Sequence, residues 1–168
     1  MLSQKIFRSP LWLLLLILLA GLLPFIVQSL TPPELPQTIG PAALVRSFSG
    51  ELARSIVEQM HGKDVGKGEN RIGYYRTDNG SATLYITRFP AEQEATEAGH
   101  TMTQRIAGGH PVFEAFRTMS FRQKPVTLCY GLGQMHFFFS EGKSVYWLAT
   151  DTSCAAEMAG GLLESVIH

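Results

Sequence analysis

The residues best equipped for chemistry are two cysteines, Cys129 and Cys154, and five histidines. No Cys-x-x-Cys spacing brings the thiols together locally, so thiol–disulfide exchange has no motif. An even pair in an oxidising compartment reads instead as a structural bridge. Closing the intervening loop would stabilise the fold by roughly 3–4 kcal/mol in the chain-entropy picture. The alternative is two free, buried thiols.

Three histidines sit beside or near methionine, in Met60-His61, His100-Thr101-Met102 and Met135-His136. Imidazole with thioether suits a soft metal. Local geometry argues against it. Neighbours on a strand face opposite sides, and two residues apart on a helix are about 200° apart. His110, in Gly-Gly-His-Pro after a helix, is a loop candidate for a functional role. Asp151 and Glu114 read as solvated or capping carboxylates. The stretch from Gly62 to Gly68 looks faintly like a phosphate loop. It is one residue short, carries Gly68 where a hydroxyl should follow Lys67, and leaves a helix instead of a strand. No Gly-x-Ser-x-Gly, His-Glu-x-x-His or paired-carboxylate context is present. No catalytic residue, cofactor or metal is implied.

The more informative signal is aromatic. In Met135–Leu148, MHFFFSEGKSVYWL, nearly every strand residue is apolar. With Glu141-Gly142 as the turn, Phe138 pairs with Val145. One face then holds Met135, Phe137, Phe139, Tyr146 and Leu148, and the other His136, Phe138, Val145, Trp147 and Ala149. A second hairpin turns at Asn79-Gly80 and pairs Tyr75 with Leu84 and Tyr74 with Tyr85. Its core face is Tyr75, Ala82, Leu84 and Ile86, and its other face is mixed aromatic and polar. Either the FFF hairpin is central and covered on both sides, or one face is open. In the second case Tyr74, Tyr85, His136, Phe138 and Trp147 form an interface or ligand surface.

These residues need elements to position them. Leu44, Phe48, Leu52, Ile56 and Met60 recur every four residues, which predicts an amphipathic helix ending at Gly62. A second helix opens at Pro90 with Glu92 and Glu94 in its first turn, and ends at Gly108-Gly109. The span from Pro111 to Gln123 is ambiguous between loop and strand, and Val126–Tyr130 reads as a strand. Ser153 can cap a last helix whose inner face is Ala155, Met158, Ala159, Leu162 and Val166. Gly160-Gly161 in that helix costs helix propensity and suggests close backbone packing on a sheet. Hairpins mixed with helices predict an α+β domain, an antiparallel sheet packed by about three helices.

Ahead of the domain, the 25 residues between Arg8 and Glu34 carry no charge. Residues 9–30 are long enough for a transmembrane anchor, with Trp12 at an interfacial position. A cleaved signal peptide is the rival, with Val27-Gln28-Ser29 as its poor cleavage site. Lys5 and Arg8 place residues 1–8 in the cytoplasm by the positive-inside bias. The Pro-rich residues 31–43 then form a spacer, and residues 44–168 an extracytoplasmic, periplasmic-type domain. From Leu30 onward there are 12 basic and 14 acidic residues, a net of −2, which argues against nucleic-acid binding. The expected location is thus the cytoplasmic membrane, with a lipid bilayer and a membrane-associated protein as partners. The expected role is a noncatalytic accessory, assembly or sensing module. The alternatives are a binder of a small apolar or metal ligand and, behind it, a hydrolase or other enzyme.

Overall fold

Alternating side chains and two-residue turns build the described strands of this protein into one antiparallel sheet. The computed structural model describes residues 34–61 and 68–168. The expected cytoplasmic tail, the membrane anchor and the first part of the spacer lie outside them. Among the described residues no helix is long and apolar enough to cross a membrane.

The elements run β1 (Thr38–Ile39), β2 (Ala42–Ser49), α1 (Gly50–His61), β3 (Glu69–Thr77), β4 (Gly80–Arg88), α2 (Glu92–Ala107), β5 (Phe113–Phe121), β6 (Lys124–Gly131), β7 (Gln134–Glu141), β8 (Ser144–Asp151) and α3 (Ala155–Val166). The sheet is curled and eight-stranded, in the order β1-β2-β3-β4-β8-β7-β6-β5. It consists of two meanders. The chain reaches the sheet centre at β4, crosses through α2 to the far edge at β5, and returns until β8 closes on β4. The α+β expectation therefore holds for the domain, with three helices packed on the sheet.

Both hairpin registers differ from those read in the sequence. Thr77 pairs with Gly80, so the turn is Asp78-Asn79, and Tyr75 lies opposite Ala82. Glu141 pairs with Ser144, so the turn is Gly142-Lys143, and Phe138 lies opposite Trp147. Each slip is two residues, and because side chains alternate with period two, it leaves every residue on its expected face.

One face carries Tyr75, Leu84, Ile86, Leu148, Phe137 and Phe139, packed under Met158, Leu162 and Leu163 of α3. On the other face, Ile72 lies beneath Ala53 and Val57 of α1, while Phe138 and Cys129 lie beneath Ile106 and Met102 of α2. The FFF hairpin is thus covered on both sides, which is why both of its faces are apolar.

Two further expectations change. The spacer is folded against the domain from Leu35 onward. Ile39 is fully buried in the main core, and the Tyr75 hydroxyl donates to the Pro36 carbonyl at 2.8 Å. The helix expected from Leu44 begins only at Gly50, whose φ of +63° breaks the strand β2 that precedes it. Residues four apart share a face in a strand as well as in a helix, so Leu44 and Phe48 could not decide between them. Ala53 and Val57 supply the buried contacts of α1, while Leu52 and Met60 of the expected stripe are exposed.

The ends of the two central hairpins are tied together by Asp151. Its Oδ2 accepts from the Ser81 backbone N–H at 2.8 Å and from Ser81 Oγ at 3.0 Å, and Oδ1 accepts from Gln134 at 3.4 Å. The Ser81 N–H, then its hydroxyl, hold this carboxyl below its ordinary value of 3.8. Asp151→Ala is expected to lower stability near neutrality by about 1–2 kcal/mol. A depressed folded-state value means the stabilisation is complete above 3.8 and is lost as pH falls through the lower folded value. Urea unfolding at pH 7 and well below 3.8 checks this. A gap between wild type and variant that does not narrow in acid would refute it.

Candidate functional site

The sheet face beneath α1 and α2 holds the whole candidate surface of Tyr74, Tyr85, His136, Phe138 and Trp147, but in two groups. His136, Phe138 and Trp147 cluster under α2. The Phe138 and Trp147 rings stack at 4.8 Å and 4°. Phe113, from the span left ambiguous by the sequence, completes the group at 5.0 Å from His136 and 5.6 Å from Trp147. His110 joins from its exposed loop, its ring 5.0 Å from that of Phe113 and its Nδ1 accepting from the Val112 N–H. Tyr74 and Tyr85 lie in the second group, with Phe48, Ile56 and Ile72 under α1. The groups adjoin where Tyr85 pairs with Trp147 across β4 and β8.

His136 is engaged at both nitrogens. An indole N–H can only donate, so Nδ1 accepts from Trp147 Nε1 at 3.1 Å, and Nε2–H donates to the Gly131 carbonyl at 2.9 Å. Burial lowers its proton affinity, opposed by the Gly131 bond. The ring is a neutral, satisfied core residue that locks Trp147 in place. It has no free lone pair for a metal and no free proton acceptor for a substrate.

The cysteines do not meet. Cys129 packs under α2 and Cys154 under α3, on opposite faces of the sheet, and both are free thiols. The expected bridge is absent because the sheet separates them. Strand parity for Cys129 was readable, but the side taken by α3 was not. Burial pushes the Cys129 thiol up to about 11, which suppresses the reactive thiolate. Cys154 sits 3.5 Å from Thr150 Oγ1 and 3.8 Å from Met158 Sδ in a buried polar knot. Among the described residues, no three His, Cys, Asp or Glu side chains gather as metal ligands would.

An open feature of this face lies at its margin. Val45, Arg46 and Phe48 of β2, Tyr74 and Arg76 of β3, and Ile56 of α1 line a concavity of about 680 Å³. Arg46 holds its guanidinium 5.9 Å from the Phe48 ring, and Phe48 meets Tyr74 edge-on at 5.8 Å. Both arginines are exposed, and among the described residues no carboxylate lines the groove. Chemically it offers two cations above apolar walls, which suits recognition more than bond-making. Of its residues, only Tyr74 was singled out in the sequence. Val45, Arg46, Phe48 and Ile56 were hidden by the helical reading of Leu44–Met60, and Arg76 was read only as part of the mixed face it shares with Tyr74. The period-two spacing of Arg46 with Phe48 and of Tyr74 with Arg76 was the available signal.

Comparison of the chain with protein-family models, curated proteins and solved structures finds no match. The functional reading therefore stands on the groove and the sequence alone.

Proposed function

We propose that this protein is a membrane-anchored, noncatalytic accessory module that presents its α+β domain outside the cytoplasm and acts by contact with a membrane-associated protein. The observation that carries the contact reading is the groove between β2, β3 and α1. There the aromatic side chains of Phe48 and Tyr74 lie beside the exposed Arg46 and Arg76, with no carboxylate among the described lining residues. Aromatic and arginine side chains are the types enriched where proteins bind one another. The aromatic cluster around Trp147 gives weaker support, being packed beneath α2. The membrane assignment rests on the charge-free run between Arg8 and Glu34 and on Lys5 and Arg8 ahead of it.

The test is site-specific photo-crosslinking with the full chain in its native membranes. A benzophenone side chain at Val45, 60% exposed at the groove mouth, is expected to give one discrete protein adduct. The same group at Glu164, exposed on α3, is expected to give none. Equal labelling from both positions, or none from Val45, would count against the contact reading.

A further inference from the structure

We infer that the groove receives an extended acidic segment of the partner, added as a strand along the free edge of β2. This rests on the contact reading above and names its chemistry. The edge is available because β1 is only two residues long and pairs with Ala42 and Ala43 alone. The Leu44 N–H still finds the Gln37 carbonyl at 2.9 Å. Beyond it, no described strand lies along Val45–Ser49, and Val45, Arg46, Ser47 and Ser49 are exposed. An edge strand left in this way is a template for another chain, and the amides and carbonyls of an added strand supply affinity without sequence. The opposite edge, β5, is less suited. A bulge between Glu114 and Arg117, with Ala115 at φ +52°, interrupts its ladder in mid-strand. The bulge in β2 falls at its start, between Leu44 and Arg46, and leaves Arg46–Ser49 in regular register with β3.

The side chains beside that edge choose the occupant. Arg46 and Phe48 are two apart on β2 and line the same groove. A strand laid along β2 therefore places one residue beside Arg46 and the residue two along beside Phe48. The complementary pattern is a carboxylate and an apolar or aromatic residue at spacing two. Arg76, opposite Ala43 on β3, lines the same concavity and can take a second carboxylate. An anionic polysaccharide could answer the arginines, but it would leave the apolar walls and the edge amides without partners. The peptide is favoured on that ground.

The experiment uses the full chain in detergent and a fluorescein-labelled, capped heptapeptide that alternates threonine with glutamate, phenylalanine and glutamate. Saturable binding by anisotropy is expected. It should weaken by roughly tenfold or more when Arg46→Glu and Arg76→Glu are combined, and similarly when alternate peptide amides are N-methylated. Three results overturn the proposal: no saturation at millimolar peptide, binding indifferent to charge reversal, or binding indifferent to N-methylation. Polygalacturonate bound in an arginine-dependent way while the peptide fails would reassign the groove to a saccharide. The crosslink from Val45 asks only whether any protein sits at the groove. A surviving adduct beside a failed peptide would therefore reject the acidic strand and leave the contact reading standing.

Discussion

Alanine at Gly161 is expected to destabilise the domain by about 2–3 kcal/mol, while alanine at its neighbour Gly160 stabilises it by roughly 1 kcal/mol. The two residues share a helix and a composition, and the sign is set by what lies opposite. A Cβ on Gly161 would stand 2.2 Å from the Gly40 nitrogen and 2.6 Å from its Cα, so α3 rests directly on the backbone of the β1–β2 turn. Gly40 is constrained in return. Its φ is +54°, and a Cβ there would meet the Glu157 carbonyl oxygen at 2.6 Å. Backbone cannot swing aside as a side chain can, so the clash must displace either α3 or the β1–β2 turn, and both hold fully buried residues: Leu162 and Met158 on one side and Ile39 on the other. Gly160 has open space within 4 Å, leaving only the helix-propensity gain of a methyl group. Denaturant midpoints of the two variants, measured on residues 34–168, decide the matter. Similar shifts of the same sign would refute the packing account. A fragment starting at Leu44 would lack Ile39 and Gly40 and is expected to be less stable than one starting at Glu34.

His136→Leu is expected to cost about 2–4 kcal/mol, because it removes both hydrogen bonds of the ring, to the Trp147 N–H and the Gly131 carbonyl, and alters the packed ring cluster. Burial also gives the histidine a pH signature. Its folded-state proton affinity is lowered from the ordinary 6.5, so the unfolded chain binds the proton more readily. The stability contributed by neutral His136 is therefore complete above 6.5 and falls as pH drops from there to the lower folded value. Within that window the slope approaches about 1.4 kcal/mol per pH unit. His136→Gln, which keeps one donor and one acceptor but does not titrate, is expected to retain more stability than the leucine variant and to lose this acid-side slope. Urea unfolding of the three proteins across the window, followed by Trp147 fluorescence, is the check. An unchanged slope in the glutamine variant would show that another group carries it.

Both predictions turn on contacts made by residues already conspicuous in the sequence, and both needed the fold for their sign. The Gly160-Gly161 pair announced close approach, but a helix presents its residues about 100° apart in turn, and only the placement of α3 over Gly40 selects Gly161. His136 announced a possible ligand or interface residue. Its neighbours Trp147 and Gly131 become neighbours only through the β6–β7–β8 register, and they convert it into a structural hydrogen-bond bridge.

What the amino-acid order determined by itself is which residues share a face. Tyr75, Ala82, Leu84 and Ile86 fall together on one side, as do Phe137, Phe139, Tyr146 and Leu148. Both sets survive a two-residue error in register because strand side chains alternate with period two. The inner face of α3 is legible for the same kind of reason, since a helix with Met158, Ala159 and Leu162 on one side has one way to bury them. Tertiary structure alone decided what crosses or caps the sheet. It set Cys129 and Cys154 on opposite faces, brought Leu35 and Ile39 to the core, and made a strand of Ala42–Ser49 where four-residue spacing fits strand and helix alike. The arginine-lined groove follows from that last choice. Its residues come from β2, β3 and α1, and nothing local in the chain states that these three elements meet.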